Sequence, residues 1–306
     1  MTGGISSDIW RVDLPSGSLC VKRALAQLKS AAEWHVSTER SASEYAWLSI
    51  VAAIAPAAVP KLLGQSDNRS MFAMDYLDPA RAPVWKAELF RGAIDPDVAA
   101  QVGDLVGRIH AATAARDDIA RNFQNHDLFE ALRLRPYLRA TATCHPDIGD
   151  HLLEIADRTA ATCLTLIHGD VSPKNILVGK DGPLLLDAEC ACYGDPAFDL
   201  AFCLNHLLLK AAVMAGAQAP LAAAAKAMTS AYNGRVDWET VAAFEKRCAT
   251  LLPALTLARV DGDSPVEYLS GDDAVFVRDQ ARRILMEPGR SIENVIDRWF
   301  SALAAR

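Results

Sequence analysis

The stretch His168-Gly169-Asp170-Val171-Ser172-Pro173-Lys174-Asn175, with Asp187 further on, decides how this 306-residue chain is read. Four residues separate Asp170 from Asn175, and Asp187 stands seventeen positions after Asp170. Between them, Ile176-Leu177-Val178, a turn over 179–183 and Leu184-Leu185-Leu186 read as a β-hairpin with polar residues at its edges. One carboxylate to take a hydroxyl proton, with an amide oxygen and a second carboxylate to hold Mg2+ against phosphates, are the parts that phosphoryl transfer requires. A turn carboxylate capping its own loop would account for Asp170 alone. It accounts for neither the Asn175 spacing nor Asp187. The reading fails if Asp170 and Asp187 face different cavities, too far apart to share one site.

Outward from this loop the chain divides into a small β-rich N-terminal lobe, residues 1–78, and a large, mostly helical C-terminal lobe, residues 79–306. The expected class is α+β. Ile9-Trp10-Arg11-Val12-Asp13 and Leu19-Cys20-Val21-Lys22 read as strands about a turn at Pro15-Ser16-Gly17, and Met71-Phe72-Ala73-Met74 as a third. Residues 38–54 carry a helical pattern, with Tyr45, Leu48 and Val51 at three-residue steps. Past Asp78-Pro79, a helix over 96–114 opens with Asp95-Pro96, an N-cap followed by proline at the first helical position. Further helices are expected over 127–141 and 148–163, and from Phe198 to the end.

The segments His168-Gly169-Asp170-x-x-Pro173-x-Asn175-Ile176-Leu177, Leu185-Leu186-Asp187-x-Glu189 and Gly194-Asp195-Pro196-x-x-Asp199-Leu200-Ala201 together resemble the aminoglycoside phosphotransferase and choline kinase group. The resemblance implies the bilobal protein-kinase-like fold and an ATP- and Mg2+-dependent kinase that phosphorylates a hydroxyl of a small molecule. It makes Asp170 the catalytic base and Asn175 and Asp187 metal ligands. Glu189 either reaches the metal through water or orients Asp187, and Asp199 stabilises the loop from a helix start. His168 reads as a side chain that bonds backbone and fixes the loop, with a metal-binding role as its rival. In the small lobe, Lys22 stands where kinases place the lysine for the α and β phosphates, with Arg23 and Lys29 as competitors. Its helix partner is Glu44 or Glu39. Ser6 and Ser7, in Gly3-Gly4-Ile5-Ser6-Ser7, are placed to donate to phosphate, and backbone groups of Asp75, Tyr76 and Leu77 to meet the adenine edge. Lys174 departs from the small residue of many relatives; its ammonium, beside the base, can offset charge on the transferring phosphoryl.

Gly169 occupies the place of the arginine that answers a phosphorylated activation loop in many protein kinases, and only twelve positions separate Asp187 from Asp199. That leaves no room for a long regulatory loop, so a small acceptor is expected rather than a protein. The formal charge of −7, from 31 basic and 38 acidic residues, disfavours nucleic acid or an anionic membrane as partner and inclines towards a cationic or neutral acceptor. Asp261, Asp263, Asp272 and Asp273 either hold a cationic amine or form a solvated loop. Aminoglycosides, choline, homoserine, macrolides and methylthioribose are acceptors within the group, and Trp85-Lys86-Ala87-Glu88-Leu89-Phe90-Arg91-Gly92 resembles methylthioribose kinases. Seven cysteines without a Cys-x-x-Cys pair read as reduced thiols of a cytoplasmic protein. Pro56, Asn205, Lys210 and Pro220 interrupt the most apolar regions, so no membrane span is expected, and no signal peptide is visible. A nucleotide-binding module without turnover and a metal-dependent hydrolase on His168, Asp170, Asp187 and Glu189 are the competing classes. The hydrolase leaves Asn175 and Lys22 unused.

Overall fold

The computed structural model describes residues 7–25 and 40–306. The expectations for Ser6, Lys29 and Glu39 lie outside the described residues. Strands β1 (Ser7–Leu14) and β2 (Gly17–Ala24) form the expected hairpin, whose turn closes on Gly17 at φ +130°, a conformation that side chains with a Cβ avoid. Helix α1 (Arg40–Ile54) follows, then β3 (Leu62–Gln65) and β4 (Met71–Asp75). The antiparallel sheet runs β1-β2-β4-β3, and its register sets Lys22 between Ile9 and Phe72. Strand β3 was not foreseen: it is four residues long and its pairing is broken by an irregularity between Leu62 and Gly64, which leaves no clean alternation to read.

The helical body begins with α2 (Trp85–Phe90) and α3 (Pro96–Thr113), the latter capped as expected by Asp95, whose carboxylate accepts from Asp97 N. Short helices α4 (Asp117–Asn122) and α5 (His126–Phe129) lead into a π-helical stretch, Glu130–Arg139, and α6 (Ala140–Cys144). The single helix expected over 127–141 is therefore three segments of different winding. Pro136 lies inside the π-helical stretch, and its missing N–H disrupts the regular α ladder. Helix α7 (Gly149–Ala161) precedes β5 (Thr165–Ile167), the hairpin β6 (Ile176–Gly179) and β7 (Gly182–Leu185), and β8 (Cys192–Gly194), which pairs with β5.

Helices α8 (Pro196–Val213), α9 (Gln218–Asn233), α10 (Val241–Asp261), α11 (Gly271–Met286) and α12 (Ile292–Ala304) complete the chain. Asp195 caps α8 and Pro196 occupies its first turn. By length and composition α8 could cross a membrane, yet 94% of it is buried inside the protein, as suits a central core helix. One continuous apolar core runs from Cys20, Trp47 and Phe72 under the sheet to Trp299 in α12. Five of the cysteines are buried, Cys144 and Cys163 are exposed, and all are free thiols.

Candidate active site

Between β5 and β6 the chain makes a loop whose backbone is fixed from behind. Asp199, in the first turn of α8, accepts from His168 N at 2.7 Å and from Gly169 N at 2.8 Å. His110 contacts the same carboxylate at 3.2 Å and the Tyr232 hydroxyl at 2.6 Å. Gly169 sits at φ +76°, and a Cβ there would lie 2.7 Å from the Cys190 carbonyl oxygen. The expectation for Asp199 therefore agrees with its geometry. His168 Nδ1 accepts from Asp170 N at 3.1 Å, which leaves Nε2 to donate to Leu186 O at 3.0 Å. Both ring nitrogens are engaged with backbone, burial lowers the imidazole pKa, and the edge of Trp47 packs against the ring. This removes His168 as a metal ligand and, with it, one support of the hydrolase reading.

The loop presents Asp170, which is buried. Its Oδ2 lies 2.9 Å from Arg133 Nη2 and 3.1 Å from Lys174 Nζ. Burial acts to raise the carboxyl pKa, but Lys174 and Arg133 outweigh it and hold the group below the ordinary value. Lys174 is raised, chiefly by Asp170, and about half of its side chain is open to solvent. Asn175 Nδ2 donates to Asp170 O at 3.1 Å, which fixes the amide and leaves Oδ1 as its acceptor.

Asp187 follows β7 in the left-handed region, at φ +69°, an unfavourable conformation for a residue with a Cβ. Its carboxylate meets Lys22 Nζ, which also lies 2.7 Å from Glu44 of α1. Burial opposes charge on Asp187, yet Lys22 and Lys174 hold it well below the carboxylate range. Burial pushes Glu44 up to about 7, despite Lys22, and Asp187 adds to the rise. The Lys22 ammonium thus bridges the two carboxylates. Arg23 points elsewhere, pairing with Asp8 at 2.9 Å. Glu189 lies 3.2 Å from Arg40 and does not line the cavity of Asp187, although burial and Asp187 raise its pKa.

A cavity of about 240 Å³ joins Ser7, Lys22, Glu44, Met74, Asn175 and Asp187. Asp75, Tyr76 and Leu77 lie just past Met74 at the end of β4 and do not line it. A second cavity, also about 240 Å³, lies on the other side of the loop and is lined by Asp170, Lys86, Phe202, Lys210, Arg259 and Tyr268, among others. Asp170 and Asp187 thus line adjoining cavities rather than a single one. Lys174 belongs to both walls, and its ammonium feels both carboxylates. A larger open groove of about 790 Å³, lined by Asp104, Arg108 and Lys180, shares no residue with either.

Several participants were not legible in the sequence. Arg133 comes from the π-helical stretch, and Lys210, Arg259 and Tyr268 come from α8, α10 and the segment after it; no motif marks them. In the second cavity Lys86, Lys174, Lys210 and Arg259 outnumber Asp170 and Glu267, against the overall negative charge of the chain. Overall charge does not fix local charge. Of the late aspartates, two already have cationic partners within the chain: Asp261 pairs with Arg278 at 2.6 Å and with His145 at 2.8 Å, and Asp273 with Arg306 at 2.8 Å.

A four-stranded sheet and one helix bearing a Lys–Glu pair, set over a helical body that supplies Asp, Asn and a second Asp, define the bilobal protein-kinase-like fold. The chain belongs to the phosphotransferase enzyme family (APH), whose model matches residues 1–244. Methylthioribose kinase from Pectobacterium atrosepticum is 26% identical over 284 residues, which cover 84% of this chain and 68% of that one. Against methylthioribose kinases from Pectobacterium carotovorum and rice, the match spans 62% and 52% of their length. Among solved structures, an amicoumacin kinase in complex with AMP-PNP and Ca2+ superposes with TM-score 0.56 at 13% identity, covering 96% of this chain and 90% of that one. An aminoglycoside phosphotransferase from Alicyclobacillus acidocaldarius gives 0.55 at 12%, covering 99% and 90%. At such identities these two likenesses bear on the fold.

Proposed function

We propose that this chain transfers the terminal phosphoryl group of ATP to a hydroxyl of a small metabolite, with Asp170 as base. The observation that carries the reading is Lys174, whose ammonium lies 3.1 Å from Asp170 and lines both the cavity of Asp187 and that of the basic pocket. Nucleotide and acceptor can therefore enter from opposite sides and meet at one point, as in-line transfer requires. Lys22 anchors phosphate oxygens, supported by Glu44, with Ser7 as a further donor. Asp75 at the end of β4, with Tyr76 and Leu77 after it, follows Met74 and offers backbone groups to adenine.

The donors fit a hard divalent cation. The Asn175 amide oxygen and the Asp187 carboxylate supply two oxygens, and Mg2+ customarily takes few protein ligands beside phosphate and water. When bound, the ion would neutralise charge shared between phosphate oxygens. Glu189 then acts at a remove, by holding Arg40.

Asp170, kept ionised by Arg133 and Lys174, is a weak base before transfer. It orients the acceptor hydroxyl and receives its proton as the oxygen–phosphorus bond forms and the oxygen becomes acidic. The acceptor cavity, at about 240 Å³, falls below the roughly 300–1,000 Å³ of drug-sized sites, which favours a monosaccharide-sized metabolite over a multi-ring antibiotic. ADP release across hydroxylated acceptors, with Mg2+-dependent thermal stabilisation by ATP, tests the reading. Asp170→Asn should lower kcat by about 10²–10⁴-fold while ATP still stabilises the protein. Undiminished turnover in that variant would remove Asp170 from the chemistry.

A further inference from the structure

The acceptor cavity holds more donors than its own walls can satisfy. Lys86 pairs with Glu267, and Lys174 with Asp170. Among the described residues no carboxylate forms an ion pair with Lys210 or Arg259, although Glu267, held by Lys86, lies in the same wall. Lys210 is only 1% exposed, and its ammonium makes one long contact, 3.4 Å to His206 O, with the rings of Phe90 and Tyr268 at 5.1 and 5.4 Å. Arg259 spends Nη1 on the Tyr137 hydroxyl and Ser264, but its buried Nε has no partner, and neither does the buried Tyr268 hydroxyl. A lysine in the last turn of a helix can be held by carbonyls and the helix dipole alone. That explanation covers neither the guanidinium nor the phenol. Unmet buried donors converging on a cavity mark the place of a ligand's acceptor atoms.

We propose that the acceptor molecule carries, besides its hydroxyl, an anionic group (carboxylate or phosphate) that docks on Lys210, Arg259 and Tyr268. This rests on the kinase reading and narrows it: the substrate is an anionic hydroxylated metabolite, whereas a basic antibiotic or a quaternary amine is repelled. The lowered Lys210 pKa, about 7 through burial and then Lys86, agrees with a cation that lacks its counter-charge.

The test begins on protein saturated with Mg2+ and AMP-PNP, so that added anions do not report the nucleotide site. Failure to bind AMP-PNP would overturn the kinase reading, before any anion is added. Calorimetry with malonate and with inorganic phosphate then compares wild type with Lys210→Met, an apolar replacement of similar length that removes a buried charge. We expect at least one anion to bind wild type and to weaken at least tenfold in the variant; the better binder tells carboxylate from phosphate. In a matched series, gluconate or glucose 6-phosphate should bind more tightly than glucose, and glucosamine most weakly. Failure of both anions to bind wild type, equal binding to both proteins, or preference for glucosamine would overturn the inference with the nucleotide result intact.

Discussion

At the residue scale, the decisive group is a carboxylate whose charge is kept by two cations of different character. Arg133 is buried and also bonds the backbone oxygen of Gly169, so it holds both the loop and its acid. Lys174 is half open and free to follow a moving phosphoryl group. Two variants separate these parts. Lys174→Ala should lower kcat by about 10²-fold, as loss of one electrostatic donor typically does, with little change in the KM for ATP. An unchanged kcat would reduce Lys174 to a surface lysine. Arg133→Met instead strands a buried carboxylate and should cost about 3–5 kcal/mol of stability in urea unfolding. A variant as stable as wild type would mean that Asp170 is compensated elsewhere. Asp170, Asn175 and Asp187 were legible because their spacing is local; Arg133 was not, since one arginine on a helical pattern looks like any other.

At the scale of elements, the loop after β5 is a small rigid device. Its turn depends on a positive φ at Gly169 and on the close approach of the Cys190 carbonyl. Asp199 grips two successive N–H groups from α8, and His168 ties the loop to the strand that delivers Asp187. Gly169→Ala places a Cβ against backbone and imposes an unfavourable φ, which we expect to cost about 1–3 kcal/mol. It should lower Tm and kcat together, since the displaced backbone carries Asp170; a wild-type Tm would contradict the packing described. The π-helical stretch shows the opposite kind of legibility. Pro136 is visible in the sequence and announces a disturbed helix, but the sequence does not say that the disturbance carries Arg133 to the loop.

For the whole molecule, the sheet and α1 bring Lys22 and Glu44 down onto Asp187, and this contact between lobes is sensitive to pH. Glu44 is raised from its ordinary 4.5 to about 7, so the folded state binds more protons than the unfolded state between those values. Its contribution to stability is complete below pH 4.5 and is lost as pH rises through about 7. Asp187 is shifted the other way, and its window lies below its ordinary 3.8. Wild type should therefore lose stability relative to Glu44→Gln from pH 4.5 to 7, by about 1.4 kcal/mol per pH unit at most. Parallel stability profiles for the two proteins across that range would show that Glu44 is not raised.

The sequence by itself determined the fold class and singled out Asp170, Asn175, Asp187 and the lysine on β2, because each lies in a short segment whose spacing or period is set by local geometry. It also marked the start of α3, where Asp95 and Pro96 act on their own neighbours. Only the tertiary structure decided which charges meet: Arg133 with Asp170, Arg40 with Glu189, and the unpaired Lys210 and Arg259 in one chamber. The first two pairs join residues 37 and 149 positions apart in the chain. Nothing local constrains them, since burial and pairing arise only when the two lobes and the late helices pack around one loop.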